Sequence, residues 1–108
     1  MPTYRVEIYQ GRRGRKPFVD WITGLRDHRA RAAIDQRLRR LVLGNLGDHK
    51  KVGQDVWEFR VALGPGYRVY FGRVGRRVIL LLCGGDKGSQ RRDIVRARTY
   101  WADYLERP

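Results

Sequence analysis

The stretch from Val56 to Lys87 carries side chains suited to chemistry on a phosphodiester: Glu58, Arg60, Arg68 and Lys87. Cleaving RNA without a metal takes a base for the 2′-hydroxyl, charge stabilisation at the pentacovalent phosphate, and an acid for the departing 5′-oxygen. Arg60 and Arg68 suit the middle task, because forked guanidinium donors can follow the phosphate oxygens as negative charge builds. Lys87 could assist them or protonate the leaving group. Glu58 is the candidate base; the competing reading is a plain surface ion pair with Arg60, which would weaken it for that work. His49 offers an imidazole for acid or base work near neutral pH, against the commoner reading of a solvated loop histidine. For holding the strand, Tyr70 offers a ring to stack on a base, while Lys50, Lys51, Arg91 and Arg92 offer positive charge.

Those residues need a sheet to position them. At period two, Trp57, Phe59, Val61 and Leu63 fall on a core face, with Glu58 and Arg60 on the other. Gly64-Pro65-Gly66 breaks the run, and Tyr67 to Arg73 alternates again, Val69 and Phe71 inward, Arg68 and Tyr70 outward. With Leu63 opposite Tyr67, Arg60 lies opposite Tyr70 and diagonal to Arg68, so that two guanidiniums and a phenol share one exposed patch. After Val74-Gly75-Arg76, the run Val78 to Cys83 is apolar on both faces, as a central strand covered on two sides would be. Gly84-Gly85 then delivers Asp86 and Lys87 to the sheet rim, on a face the pattern leaves open.

The rest of the chain supplies the packing. Tyr4 to Tyr9 alternates as a first strand, with Val6 and Ile8 towards the core. Gly11 to Lys16 is a basic loop. Pro17 suits a first helical position, and Phe18, Trp21, Ile22 and Leu25 recur at helical spacing up to a stop near Gly24. A second helix is capped by Asp27, draws its stripe with Ala30, Ala33, Ile34, Leu38, Leu41 and Val42, and stops at Gly44-Asn45. Its other face carries Arg29, Arg31, Arg37, Arg39 and Arg40, either a nucleic-acid surface or a solvated one. Leu46 to Gln54 reads as a mobile loop. Ser89 caps a last helix whose stripe is Ile94, Ala97, Trp101 and Leu105, with Arg91, Arg92, Arg96 and Arg98 towards solvent or ligand. Trp21, Trp57 and Trp101 are expected in the core, as is Tyr67. The order strand, helix, helix, three strands, helix predicts an α+β fold with a mainly antiparallel sheet.

The chain of 108 residues is expected to form a single domain, about large enough for one sheet with helices on one side. Its 24 Lys and Arg against 11 Asp and Glu leave a net charge of +13, carried mostly by arginine, which favours a polyanionic partner and nucleic acid above an acidic protein. Hydrophobic residues at 42% argue against a disordered basic tail. Cys83 is the single cysteine, so neither an internal disulfide nor a cysteine zinc site can form, and no metal or cofactor is expected. With no apolar signal segment and no run of about 20 apolar residues, the expectation is a cytoplasmic protein without a membrane partner.

The Trp57-Glu58-x-Arg60 segment, Gly66-Tyr67-Arg68 within GPGYRVYF, and LLLCGGDK together resemble the RelE/ParE superfamily of bacterial toxins. The likeness is closer to its HigB-like, phage-derived addiction-module killer proteins, and it runs from Tyr4 to Tyr104. It implies a RelE-like β-α-α-β-β-β-α fold with a four-stranded sheet packed by helices. It also implies the toxic half of a type II toxin–antitoxin pair, silenced by a cognate helix-turn-helix antitoxin. Many such proteins are mRNA endoribonucleases, often acting on the ribosome; those on the ParE side act on DNA gyrase. The resemblance puts Arg68 where the nucleases keep a phosphate-binding arginine, Arg60 at a basic position on the preceding strand, and Lys87 near one after the last strand. Two positions depart: Glu58 stands near a lysine of some nucleases, and no tyrosine near Asp93 matches one that some use at the start of the last helix.

Overall fold

An apolar run with no polar face has to lie inside a sheet, and Val78–Asp86 does. The computed structural model describes residues 3–107. Among them the elements are β1 (Arg5–Ile8), α1 (Pro17–Gly24), α2 (His28–Val42), β2 (His49–Gly53), β3 (Val56–Val61), β4 (Tyr67–Val74), β5 (Val78–Asp86), a 3-10 turn (Lys87–Ser89) and α3 (Gln90–Glu106). The fold is α+β around one mixed sheet, ordered β1-β5-β4-β3-β2. β1 pairs parallel to β5, and the remaining pairs are antiparallel.

The sheet has five strands where four were expected. The added one is β2, inside the segment read as a loop; it pairs with β3 through a turn in which Gln54 and Asp55 both adopt positive φ, 42° and 67°. Two successive left-handed residues give the twist that a tight hairpin needs.

Helices cover both faces rather than one. Phe18 of α1 and Ala30, Ile34 and Leu41 of α2 pack on Phe59, Val61, Tyr67, Val69, Phe71, Ile79 and Leu81. On the second face, Ala97 and Trp101 of α3 pack on Val56, Tyr70, Leu80, Leu82 and Cys83. Trp101 lies flat on Gly72, where a Cβ would come within 2.3 Å of the indole, so the strand leaves room for the ring only by having no side chain there. Ile34 and Leu41 are fully buried, each contributing about 1.5–3 kcal/mol.

The helix ends follow their residues. Asp27 accepts from the Ala30 amide at 3.1 Å and caps α2, while Gly44, at φ 93°, lets the chain turn out of it. The start of α3 differs from the expected Ser89 cap. Asp86 accepts from the Ser89 amide at 3.1 Å, forming a capping box for the 3-10 turn, and the Ser89 hydroxyl donates onward to the Asp93 carboxylate. Three apolar positions assigned to the core lie outside it. Ile8 is 41% exposed because β1 is an edge strand, while Val42 and Leu105 sit at helix ends, where the neighbouring elements no longer reach. Trp57 is only partly buried at the rim.

Candidate active site

The β3–β4 register decides which charges meet. β3 ends at Val61 opposite Tyr67, and Ala62 to Gly66 all belong to the turn. The pairing is thus shifted from the Leu63–Tyr67 register expected: Arg60 stands directly opposite Arg68, and Glu58 opposite Tyr70. Directly opposed residues share a face, so both guanidiniums, the carboxylate and the phenol project to the α3 side. On β5 the register slips between Tyr70 and Phe71, pairing Tyr70 with Cys83 and Arg68 with Gly85. That bulge sets Gly85 beneath Asp93 of α3 and leaves the space beyond the start of α3 to charged groups.

Glu58 is fully buried there. Gln90 Nε2 donates to both its oxygens, at 3.3 and 3.4 Å, and the cations of Lys50 and Arg68 each lie 3.8 Å from Oε1. Arg68 is 7% exposed and its Nη1 donates to the Gly66 carbonyl at 3.3 Å. Its Nε has no hydrogen-bond partner among the described residues. Arg68 lines an open groove of about 280 Å³, shared with Arg60, Asp48 and Gly66. Arg60 is half exposed and pairs loosely with Asp48 at 3.5 Å.

The Gly66 carbonyl that accepts from Arg68 also accepts the Lys87 backbone amide at 2.9 Å, which brings the end of β5 against the hairpin turn. Lys87, Gln90, Arg91 and Arg92 line an adjoining depression of about 390 Å³. Gln90 thus lines this depression while its amide reaches Glu58. Sequence reasoning missed Gln90 and Asp93; their signal was their position in the first turn of the helix that follows Gly84-Gly85-Asp86-Lys87.

Several assignments are corrected. Tyr70 offers no exposed ring, because α3 covers it completely; its hydroxyl has no partner among the described residues, and burial, then the neighbouring Glu58 and Asp93 charges, push its pKa up. His49 pairs with Phe59 and so projects to the α2 face, with its ring 5.5 Å from that of Trp57 and Nδ1 2.8 Å from the Gly47 carbonyl. It is not beside Glu58. Lys51 shares that face, over the Trp57 ring at 5.9 Å and paired with Asp55 at 3.3 Å, and only Lys50 turns towards the carboxylate. Arg37, grouped with the outer arginine face of α2, instead donates to the carbonyls of Arg60, Leu46 and Asp48 and lies 4.8 Å over Phe59.

What this arrangement can do is bind an anionic oxygen between fixed cations beside a water-excluded carboxylate. Among the described residues, no three His, Cys, Asp or Glu side chains converge as metal ligands would. No helix of the described residues is long and apolar enough to cross a membrane.

The fold and site define a small basic α+β domain with a charged cleft at one end of its last helix. No family model matches the chain. An uncharacterized protein of Haemophilus influenzae is 43% identical over 81 residues, spanning 75% of this chain and 82% of that protein. The chain belongs to the same family as that protein.

Proposed function

We propose that this protein is the toxin of a type II toxin–antitoxin pair, a HigB-like member of the RelE/ParE superfamily that cleaves messenger RNA. The observation that carries the proposal is the fully buried Glu58 carboxylate 3.8 Å from Arg68, with Arg60 directly opposite Arg68 on the same face. Arg68 and Arg60 hold the non-bridging oxygens of the scissile phosphate. Glu58, once the Gln90 amide swings off its two oxygens and opens it to the strand, takes the proton of the 2′-hydroxyl as the O2′–P bond forms. Lys87 gives a proton to the 5′-oxygen as the P–O5′ bond breaks, leaving a 2′,3′-cyclic phosphate and a 5′-hydroxyl. Lys50, Arg91 and Arg92 hold the flanking phosphates.

So small a site has little surface for choosing a sequence, and a message lying on the ribosome supplies both docking charge and substrate geometry. The cell compartment is the cytoplasm, and the restraining partner is a helix-turn-helix antitoxin. Purified protein added to a translating extract, followed by primer extension on the messages, tests the reading. New 5′ ends that vanish in Arg68→Ala support it; intact messages together with blocked supercoiling by DNA gyrase replace it with gyrase inhibition, and intact messages with neither effect reduce the protein to a basic binding module.

A further inference from the structure

A third hollow lies across α3 from Glu58. β1 ends at Ile8 opposite Leu81, so no strand covers that edge of β5 from Leu82 onwards. The chain loops out there and returns as α1, leaving a groove of about 440 Å³ between α1 and α3, floored by Cys83 and Gly84. That volume falls in the range of sites for small organic ligands.

Two aromatic rings stand in its walls in fixed poses. Trp21 of α1 rests on Gly84, where a Cβ would meet the indole at 2.2 Å. Tyr100 of α3 is stacked on Tyr9, centroids 5.1 Å apart and planes 24° from parallel. Both residues are half-buried and line the groove. The polar groups are complementary to an anion. Among the described residues the largely exposed Arg15 guanidinium meets only Asp20, at 3.1 Å, while Arg96 is half exposed, with Nη1 3.7 Å from Asp93, Nη2 donating to the Tyr100 hydroxyl at 3.3 Å and Cζ 6.0 Å from the Tyr100 ring centroid. Each guanidinium therefore keeps forked donors unused. Asp20 is the one carboxylate among the lining residues, so the groove keeps a net positive charge.

Aromatic planes beside two partly free guanidiniums match a base joined to a phosphate. We propose that this groove binds one nucleotide unit, its base against Trp21 and Tyr100 and its phosphate on Arg15 and Arg96. The unit is either a free nucleotide or one residue of an RNA strand. Neither source depends on the cleavage chemistry at Glu58, from which the groove is separated by the first turns of α3.

The test is a tryptophan-fluorescence titration of the wild-type chain with AMP, GMP, CMP and UMP, with a 2′-O-methyl RNA hexamer that cannot be cut, and with inorganic phosphate. Saturable quenching is expected that is absent in Trp21→Phe and weakened about five-fold or more in Arg15→Ala, a surface change that leaves the core alone. Saturation by a mononucleotide identifies a free nucleotide as the ligand; saturation by the hexamer alone identifies a subsite for RNA. The proposal is overturned by quenching that persists in Trp21→Phe, by unchanged affinity in Arg15→Ala, or by phosphate competing as well as nucleotide. Should Trp21→Phe not fold, photocrosslinking of 5-iodouridine oligomers decides: adducts on Trp21 or Tyr100 support the site, and adducts confined to other residues remove it. Because none of these ligands can be cleaved, failure here leaves the nuclease reading standing, and failure of cleavage leaves the groove standing.

Discussion

Glu58 has no contact with water and is met by two cations and one amide, an arrangement that makes Arg68 the residue on which the site turns. In the proposed mechanism, removing its guanidinium takes away charge stabilisation where the phosphate gains charge. Arg68→Ala is expected to slow message cleavage by about 10²–10³-fold, as loss of one preorganised donor does; single-turnover rates on ribosome-bound message would show it, and a rate within a few-fold of wild type would contradict it. Tyr70 behaves oppositely. Its hydroxyl is buried without a partner, a state costing about 1–3 kcal/mol. Tyr70→Phe should therefore raise the melting temperature by a few degrees, and a lowered one would mean that the hydroxyl is satisfied. The alternation around Gly66 was enough to put Glu58, Arg60 and Arg68 on one face, because a strand's period is a local property. The burial of Tyr70 was not legible, since it depends on a helix that begins twenty residues later and docks by tertiary packing alone.

At the scale of elements, β2 shows where local pattern runs out. Gly47, Asp48 and Gly53 look like loop residues, and Gln54-Asp55 carries none of the usual Asn-Gly or Asp-Gly hairpin signal, yet pairing to β3 makes a strand of His49–Gly53. Once it is a strand, its period separates His49 and Lys51 from Lys50, which is why one of three neighbouring candidates reaches Glu58. The far end of α3 is tied down differently. Asp103 accepts from the Tyr9 hydroxyl at 2.5 Å, from Arg12 Nε at 2.8 Å and from Arg107. Those bonds, that of Tyr9 foremost, hold its carboxyl down from 3.8 to about 2. A carboxyl depressed on folding stabilises the fold above its unfolded pKa and ceases to do so as pH falls through the folded one. The advantage of wild type over Asp103→Asn in melting temperature should therefore be constant near neutrality and shrink between about pH 4 and pH 2. A gap that stays constant through this range would show that the carboxylate is not the link between α3 and β1.

For the whole molecule, a charge of +13 on 108 residues is a standing electrostatic strain that a polyanion relieves. Six cations surround the proposed cleft: Lys50, Arg60, Arg68, Lys87, Arg91 and Arg92. If each releases a counterion on binding single-stranded RNA, log K should fall against log salt with a slope of about −4. A slope near zero in filter binding would mean that the charge serves something other than RNA. Fold class, the central strand and the basic character were legible from period and composition. The two-sided apolar run of β5 pointed to cover on both faces, but which helix closes which side was not legible, because helix stripes and chain length do not say where α3 docks.

In the proposed reaction Glu58 and Arg68 cut RNA through its own 2′-hydroxyl. The most direct measurement is end-mapping of a ribosome-bound message in which the nucleotide before the cut carries 2′-deoxyribose. The account predicts that the all-ribose message is cleaved to a 2′,3′-cyclic phosphate and that the single deoxy substitution abolishes that cut. Cleavage that continues at the deoxy position, or an all-ribose message left whole, would contradict it.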